Sequence, residues 1–437
     1  MNTKKGIKNI GYAFLSQIVA LALGIFIPRL TIVSYGSEMN GLLSSIATVM
    51  TYLTLLEAGV GAATCQALYK PITQKDKIGI NGVLSATHYY YKRTGIAYFG
   101  LVLGLAFVYP FVVRQSYNYW VVWILVFVNG IPGVINFFFQ RKYITLLDAE
   151  GESYIVTNLR TVISTVLSFV KIVLLSLHVN IILIQIIYCM SSLIQMLYIH
   201  YYVKKRYPWI SINETPNTKA LGQKNAALVH QVCAMITNST DVMVLSILGN
   251  LSMVSIYSVY NMLFNIIYNA IYSINTGVAF ILGQAYCQGK ENYCKKIDAY
   301  ETVYITMATW LLGVTYVMIT PFMKLYTSGA DINYADNIFP ILFLIVKFFE
   351  AVRNASANTI TVSGNFEGSK RHAIIESVLN LSISILSVWK FGMVGVLFGT
   401  IVALVYRSIV STYYANVVIL ERNCIHSIKV VVLNSIL

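Results

Sequence analysis

The sequence predicts an all-α integral membrane protein of about twelve transmembrane helices, in two six-helix lobes related by a parallel pseudo-two-fold repeat. Three observations predict it. The first is composition: 57% of the 437 residues are hydrophobic and 11% charged, where globular chains hold about half and about a quarter. The second is that apolar runs recur along the whole chain, each close to the roughly 20 residues a helix needs to cross the hydrocarbon core. The third is a weak likeness between the first and second halves.

The expected spans are 10–30, 42–66, 87–110, 119–140, 157–177, 181–203, 225–248, 253–283, 298–323, 337–362, 373–389 and 394–419. Lys4, Lys5 and Lys8 before an apolar run ending in "ALA" imitate a signal peptide. The run continues past Ala22, and eleven further spans follow, so it reads as the first span. The net charge of +14 is sorted by side. With the N-terminus inside, the inner segments hold 20 basic residues, and the outer ones hold three: Arg114, Lys324 and Lys390. That asymmetry places both termini in the cytoplasm. It also accounts for the charge as topology and contact with anionic lipid, so nucleic acid is not expected as a partner. The six cysteines show no CxxC pair and no histidine at metal-ligand spacing, so they read as small buried side chains.

The most polar stretch, 204–224, lies near the midpoint. It divides the chain into a lobe at 1–203, a cytoplasmic linker at 204–224 and a lobe at 225–419. Residues 420–437 are a cytoplasmic tail or the start of a further span. Four matched pairs of segments support the division. Gly36 falls opposite Gly249, Gly59 opposite Gly277, "YPFVVRQ" opposite "TPFMKLY", and "EGESYIVTNLR" opposite "EGSKRHAIIES". Each lobe has an even number of spans, so both start inside and the repeat is parallel.

No catalytic motif appears. HExxH and GxSxG are absent, and "GQAYCQGKE" has the wrong glycine spacing and Glu291 where a phosphate loop needs Ser or Thr. What remains are ionisable and polar residues inside spans, which belong on a bundle interior or a wet cavity. The cavity candidates are Arg29, Glu57, Arg160, Asp241, Asn275, Lys347, Glu350, Arg353, Asn354 and Glu376. Lys347, Glu350 and Arg353 are three apart and share a helix face among small residues. Glu57 stands beside Gly59 and Gly61, with Asn275 and Gly277 at the matching place in the second half. Arg29 and Asp241 are quasi-equivalent in the repeat, as are Arg160 and Glu376. Arg29 and Asp241 are therefore expected to face each other and close an outer gate. No cofactor or resident metal is expected. Glu57, Asp241, Glu350 and Glu376 are the candidates for coupling to H+ or Na+.

The chain resembles the Wzx-type polysaccharide and O-antigen flippases of the MOP superfamily, kin to MATE exporters and lipid II flippases. The resemblance rests on "NIGYAFLSQIVALALGIFIPRLTIVSYGSEMNGLLSS", "YLTLLEAGVGAAT", "NSTDVMVLSILGNLSMVSIYS" and the "EGESYIVTNLR" and "FEGSKRH" loops. It implies a MATE-like pair of lobes around a central cavity in the bacterial cytoplasmic (inner) membrane, and a transporter rather than an enzyme. The implied substrate is an isoprenoid-diphosphate-linked oligosaccharide moved from the inner to the outer leaflet. The implied partners are membrane lipids and the glycosyltransferases and polymerase of the same pathway. Two alternatives stay open: a cation-coupled small-molecule exporter, and a membrane-embedded glycosyl transferase or polymerase. The short outer segments argue against the last.

Overall fold

The computed structural model describes residues 23–57, 60–113, 117–212, 214, 224–363 and 365–436. Among them there are helices and turns and no strand. The chain divides into two units, Met1–Val232 and Cys233–Leu437. Residues 213 and 215–223 of the expected linker at 204–224 lie outside the described residues, as do residues 10–22 of the expected first span.

Unit 1 begins with α1 (Leu23–Tyr35). Gly36 ends it at φ 86°, a conformation that glycine adopts without a Cβ penalty, and α2 (Ser37–Leu53) starts at once. A 3₁₀ turn, Thr54–Glu57, follows α2, and α3 (Val60–Gln74) resumes after the two undescribed residues. α4 (Lys77–Val112) is capped by Asp76, whose carboxylate accepts from Gly79 N at 3.0 Å. α5 (Tyr119–Ile135) is capped by Asn118, which accepts from Trp120 N. It runs into a π-helical turn, Asn136–Gln140, and then α6 (Arg141–Ala149). α7 (Ser153–Ser176) and α8 (Ile181–Arg206) complete the unit, apart from the start of α9.

α9 (Lys224–Leu248) carries the division between the units. In unit 2 the chain turns at Gly249, and Asn250 caps α10 (Leu251–Cys287) by accepting from Met253 N at 2.8 Å. α11 (Lys290–Tyr326) and α12 (Ile338–Ser363) follow. α13 (Phe366–Tyr413) is two helices in one. Its apolar run would be about 78 Å long if straight, far beyond the ~30 Å of hydrocarbon. Gly392, at φ 53° and ψ −130°, folds it back on itself. Asn380 on the first arm donates to Thr400 on the second at 2.9 Å, and the arms match the expected spans at 373–389 and 394–419. A π turn, Tyr414–Ile419, leads to α14 (Ile425–Ile436). Within the 420–437 segment, residues 425–436 thus form a short helix docked on α11. Arg422 reaches both carboxylate oxygens of Asp298 at 2.7 and 2.9 Å, and Ser427 donates to Glu301 at 2.6 Å.

Eight described helices are long and apolar enough to cross a membrane, and three shorter apolar ones accompany them. α12 is long enough but carries Lys347, Glu350 and Arg353 within every stretch of membrane length. The outer faces fit lipid. α7, for example, exposes Val162, Val166, Phe169 and Val173. The protein is a multi-pass helical membrane protein.

Candidate functional site

Unit 1 gathers charge around the break between α2 and α3. The 3₁₀ turn projects Glu57 toward α6, where it pairs with the Arg141 guanidinium. Tyr91 of α4 donates to the same Glu57 oxygen at 3.2 Å. A Cβ on Gly61 would stand 3.2 Å from both Arg141 Nη2 and Glu57 Oε1, so glycine there lets the pair close over the helix. Arg160 of α7 is exposed, and its charged neighbours are Arg141, Asp148 and Glu57. Arg160 makes no hydrogen bond or ion pair among the described residues. The same holds for Arg29, half-buried on α1.

Unit 2 holds a cavity of ≈ 330 Å³. The three-residue spacing on α12 places Lys347, Glu350 and Arg353 along one edge of it. Lys347 Nζ lies 2.9 Å from Glu350 Oε2, and Arg353 Nη2 lies 3.9 Å from Glu350 Oε1. Arg353 then reaches Glu376 on α13 at 3.0 Å, and Glu376 meets Arg407 of the other arm at 3.4 Å. Arg407 ends the series on Ser369, donating to its hydroxyl at 2.7 Å. Three cations and two acids alternate across three helical segments, leaving one positive charge in excess. Such a ladder holds together because each buried charge has an opposite neighbour; a lone one would cost several kcal/mol.

The facing wall is polar but less charged. Asn261, Asn265 and Asn269 recur every fourth residue on α10, and Asn265 donates to Asn261 at 3.1 Å. Tyr268 lies between them in sequence. Lys347 Nζ stands 5.2 Å from its ring centre, and Asn354 donates to its hydroxyl. Asp241, 3% exposed, completes the lining with Thr237, one turn before it. Tyr257 donates to Asp241 at 2.8 Å, and the Thr400 hydroxyl lies 2.8 and 2.9 Å from its two oxygens. No basic side chain of the described residues lies within ion-pair distance of Asp241.

The cavity brings together Asp241, Lys347, Glu350 and Arg353, with Asn354 and Glu376 directly behind it. Asn275 is not part of it. Its side-chain oxygen accepts from Tyr300 and from Asn358, both at 2.6 Å, in a buried knot between α10, α11 and α12. Arg29, Glu57 and Arg160 belong to unit 1. Sequence reasoning missed Arg141, Tyr257, Tyr268 and Thr400, for which no local signal exists. It also passed over Asn261, Asn265 and Asn269, whose i, i+4, i+8 recurrence was readable.

Among the described residues one group of donors could hold a metal: Asp298, Glu301 and His426, within 4.8 Å of one another. Both Asp298 oxygens already accept from Arg422, and Glu301 accepts from Ser427. These acids fasten α14 to α11.

Apolar helices enclosing charged clusters and a polar cavity make this a polytopic membrane protein with a polar interior in each helix unit. Solved structures share the fold. An inward-facing multidrug resistance MATE family transporter of the MOP superfamily matches with TM-score 0.71 at 16% identity, over 90% of this chain and 94% of its own. The lipid II flippase MurJ, in an inward closed conformation, matches with TM-score 0.74 at 14% identity, over 98% and 91%. A MATE protein in a bent conformation matches with TM-score 0.53 at 15% identity, over 96% and 95%. The chain therefore has the fold of MOP-superfamily exporters and flippases. No family profile matches the sequence, and no curated protein matches it.

Proposed function

We infer that this chain is a flippase that moves an isoprenoid-diphosphate-linked oligosaccharide from the inner to the outer leaflet of the bacterial cytoplasmic membrane, by alternating access. Both termini are taken as cytoplasmic, from the basic-residue asymmetry. The observation that carries the reading is the unit 2 cavity, where Lys347 and Arg353 face the same space as three carboxamides and two tyrosines. A diphosphate needs cations in a low-dielectric site, Arg for paired hydrogen bonds and Lys as a point charge. Sugar hydroxyls find donors and acceptors in Asn261, Asn265 and Asn269, and Tyr268 offers a ring face. Glu350 and Glu376 hold the cations paired and aimed while the site is empty. An inside-negative potential favours outward movement of an anionic headgroup by about 2.3 kcal/mol per charge per 100 mV. Glycosyltransferases of the pathway supply the substrate, and a polymerase consumes it on the other side. Within the same scheme, Arg29 and Asp241 pair to seal the outer gate when the inner side is open. For that, Asp241 would take a guanidinium in addition to its two hydroxyl partners.

A second reading, a small-molecule exporter coupled to H+ or Na+, draws on one observation. Asp241 is a buried acid held by the Tyr257 and Thr400 hydroxyls with no cation paired to it among the described residues, the kind of group that binds a proton or a small cation. The deciding experiment measures surface polysaccharide and inner-leaflet lipid-linked sugar in cells carrying Lys347→Gln or Arg353→Gln. The flippase reading expects the lipid-linked intermediate to accumulate while the protein still inserts. Normal polysaccharide in both variants, with drug efflux lost in Asp241→Asn, would establish the second reading instead.

A further inference from the structure

The exposed face of α4 changes character along its length. From Ile96 onward it is apolar, presenting Ile96, Phe99, Leu101, Phe107, Val108 and Phe111. Such a stripe suits acyl chains and would be a poor wall for a water-filled path. At its beginning the same face presents Tyr89, Lys92 and Arg93, all exposed, with the Arg93 guanidinium 4.7 Å from the Tyr89 ring centre. His88 lies one turn before Lys92, and α6 brings Lys142 against it, Nζ 3.1 Å from His88 Nδ1. Lys142 is only 7% exposed. Its partners are another base and the face of Tyr143, 5.1 Å away. The charged groups that bear on His88 are Lys142 and Lys92, both positive.

Four other cations of the described residues are matched, Arg141 by Glu57, Lys347 by Glu350, and Arg353 and Arg407 by Glu376, while half-buried Lys171 rests on the Tyr188 ring and Arg29 has no acid partner. Among the described residues no carboxylate pairs with His88, Lys92, Arg93 or Lys142. A buried ammonium whose nearest partner is an imidazole leaves a site completed by an anion from outside. The surroundings say which anion reaches it. The cluster opens at the end of an acyl-chain surface, flanked by two tyrosines of the kind that sit at headgroup level. By the basic-residue topology, this is the cytoplasmic end of α4.

We propose that His88, Lys92, Arg93 and Lys142 bind the phosphate of an anionic phospholipid in the cytoplasmic leaflet. The phosphate oxygens accept from the Arg93 guanidinium and the two ammonium groups. His88, accepting from Lys142 at Nδ1, keeps its other ring N–H as a donor. The acyl chains lie along Ile96, Phe99 and Phe107. A zwitterionic headgroup fits poorly, because its own cation would enter a cluster of four bases. The site lies within unit 1, apart from the unit 2 cavity, and does not depend on what the chain transports.

The test is native mass spectrometry of the purified full chain in detergent, titrated with phosphatidylglycerol, phosphatidylcholine or farnesyl diphosphate. The wild type should bind phosphatidylglycerol about tenfold more tightly than phosphatidylcholine. Each base removed should weaken it by about fivefold, as expected for a basic residue at an anionic surface. Lys142→Gln removes the buried base. Lys92→Gln with Arg93→Gln removes only exposed groups, so it tests the site even if the first variant folds poorly. Lys295→Gln with Lys296→Gln, exposed on α11, should leave binding unchanged. A phosphatidylglycerol preference that survives loss of Lys92 and Arg93 would overturn the proposal and reduce the cluster to diffuse attraction. Farnesyl diphosphate displacing phosphatidylglycerol, and lost in the same variants, would also overturn it by making this a landing site for isoprenyl diphosphates.

Discussion

Glu376→Gln removes the central acid of the unit 2 ladder while keeping its shape. Glu376 contacts Arg353 at 3.0 Å and Arg407 at 3.4 Å, with its side chain 6% exposed. At an effective dielectric of about 20, each contact is a gross attraction of about 5 kcal/mol. Desolvation offsets most of that, and breaking a buried pair typically costs about 3–5 kcal/mol. The two arginine side chains are 21% and 13% exposed, so water at the cavity screens part of the loss, and the lower end, about 3 kcal/mol, applies. A unit the size of Cys233–Leu437 loses about 2–4 °C per kcal/mol, so the melting temperature should fall by about 6–12 °C. The assay is thermal unfolding of the purified protein in detergent. Arg407→Gln in the same chain restores the charge balance and should recover at least half the loss. A drop below about 2 °C, or a double variant no better than the single, would refute the view that these charges hold each other.

Other expectations are direct. Gly392→Ala should destabilise unit 2 by about 1–3 kcal/mol, because a Cβ is strained at that backbone conformation; unchanged stability would mean that the α13 turn lies elsewhere. Cys294 and Cys424 should react with impermeant thiol reagents only from the cytoplasmic side, and labelling of Cys294 in intact cells would invert the topology. Exchanging Arg29→Asp with Asp241→Arg should restore closure of the outer side that either single change loses, read by thiol accessibility of cysteines placed at Gly36 and Gly249. A double exchange as open as the single variants would leave Asp241 an independent ion site. Glu57→Gln should weaken unit 1 by a few kcal/mol through the stranded Arg141, measured by the same thermal assay, and Arg141→Gln should relieve part of it.

The long elements were legible because hydrocarbon imposes length. Spans from 119–140 to 394–419 fall on described helices, and the glycines paired across the halves, Gly36 and Gly249, both stand at helix ends. The charged edge of α12 was legible too, since Lys347, Glu350 and Arg353 need only helical spacing to share a face. Partner choice was not. Asp241 meets Thr400 from 159 residues away, and Glu57 meets Arg141 from 84 away. Such pairings depend on how helices cross, which no local pattern encodes. Arg141 falls one residue past the expected span at 119–140 and so counts among the 20 inner-segment bases, whereas the helix continues through the π turn into α6. Asn275 read as cavity lining from its repeat position, but Tyr300 and Asn358 take its oxygen.

The π turn at Asn136–Gln140 sets how the unit 1 cluster responds to chain length as well as to residue identity. It holds one more residue than an α-helical turn needs. A single-codon deletion inside it would leave an unbroken α-helix from α5 to α6, with ordinary backbone hydrogen bonds and little change in hydropathy. Because the turn absorbs that extra residue, everything beyond would keep its facing, whereas the same deletion in a regular turn of α5 would rotate everything beyond by about 100°. In that second case Arg141 would swing away from Glu57, and Lys142 from His88. Gln140, which now donates to the Ser192 carbonyl at 2.8 Å, would lose its place against α8. A one-residue insertion or deletion could therefore create or erase two basic sites together without exchanging a single side chain. Among related sequences, the register of this segment is as informative as the identity of its arginine.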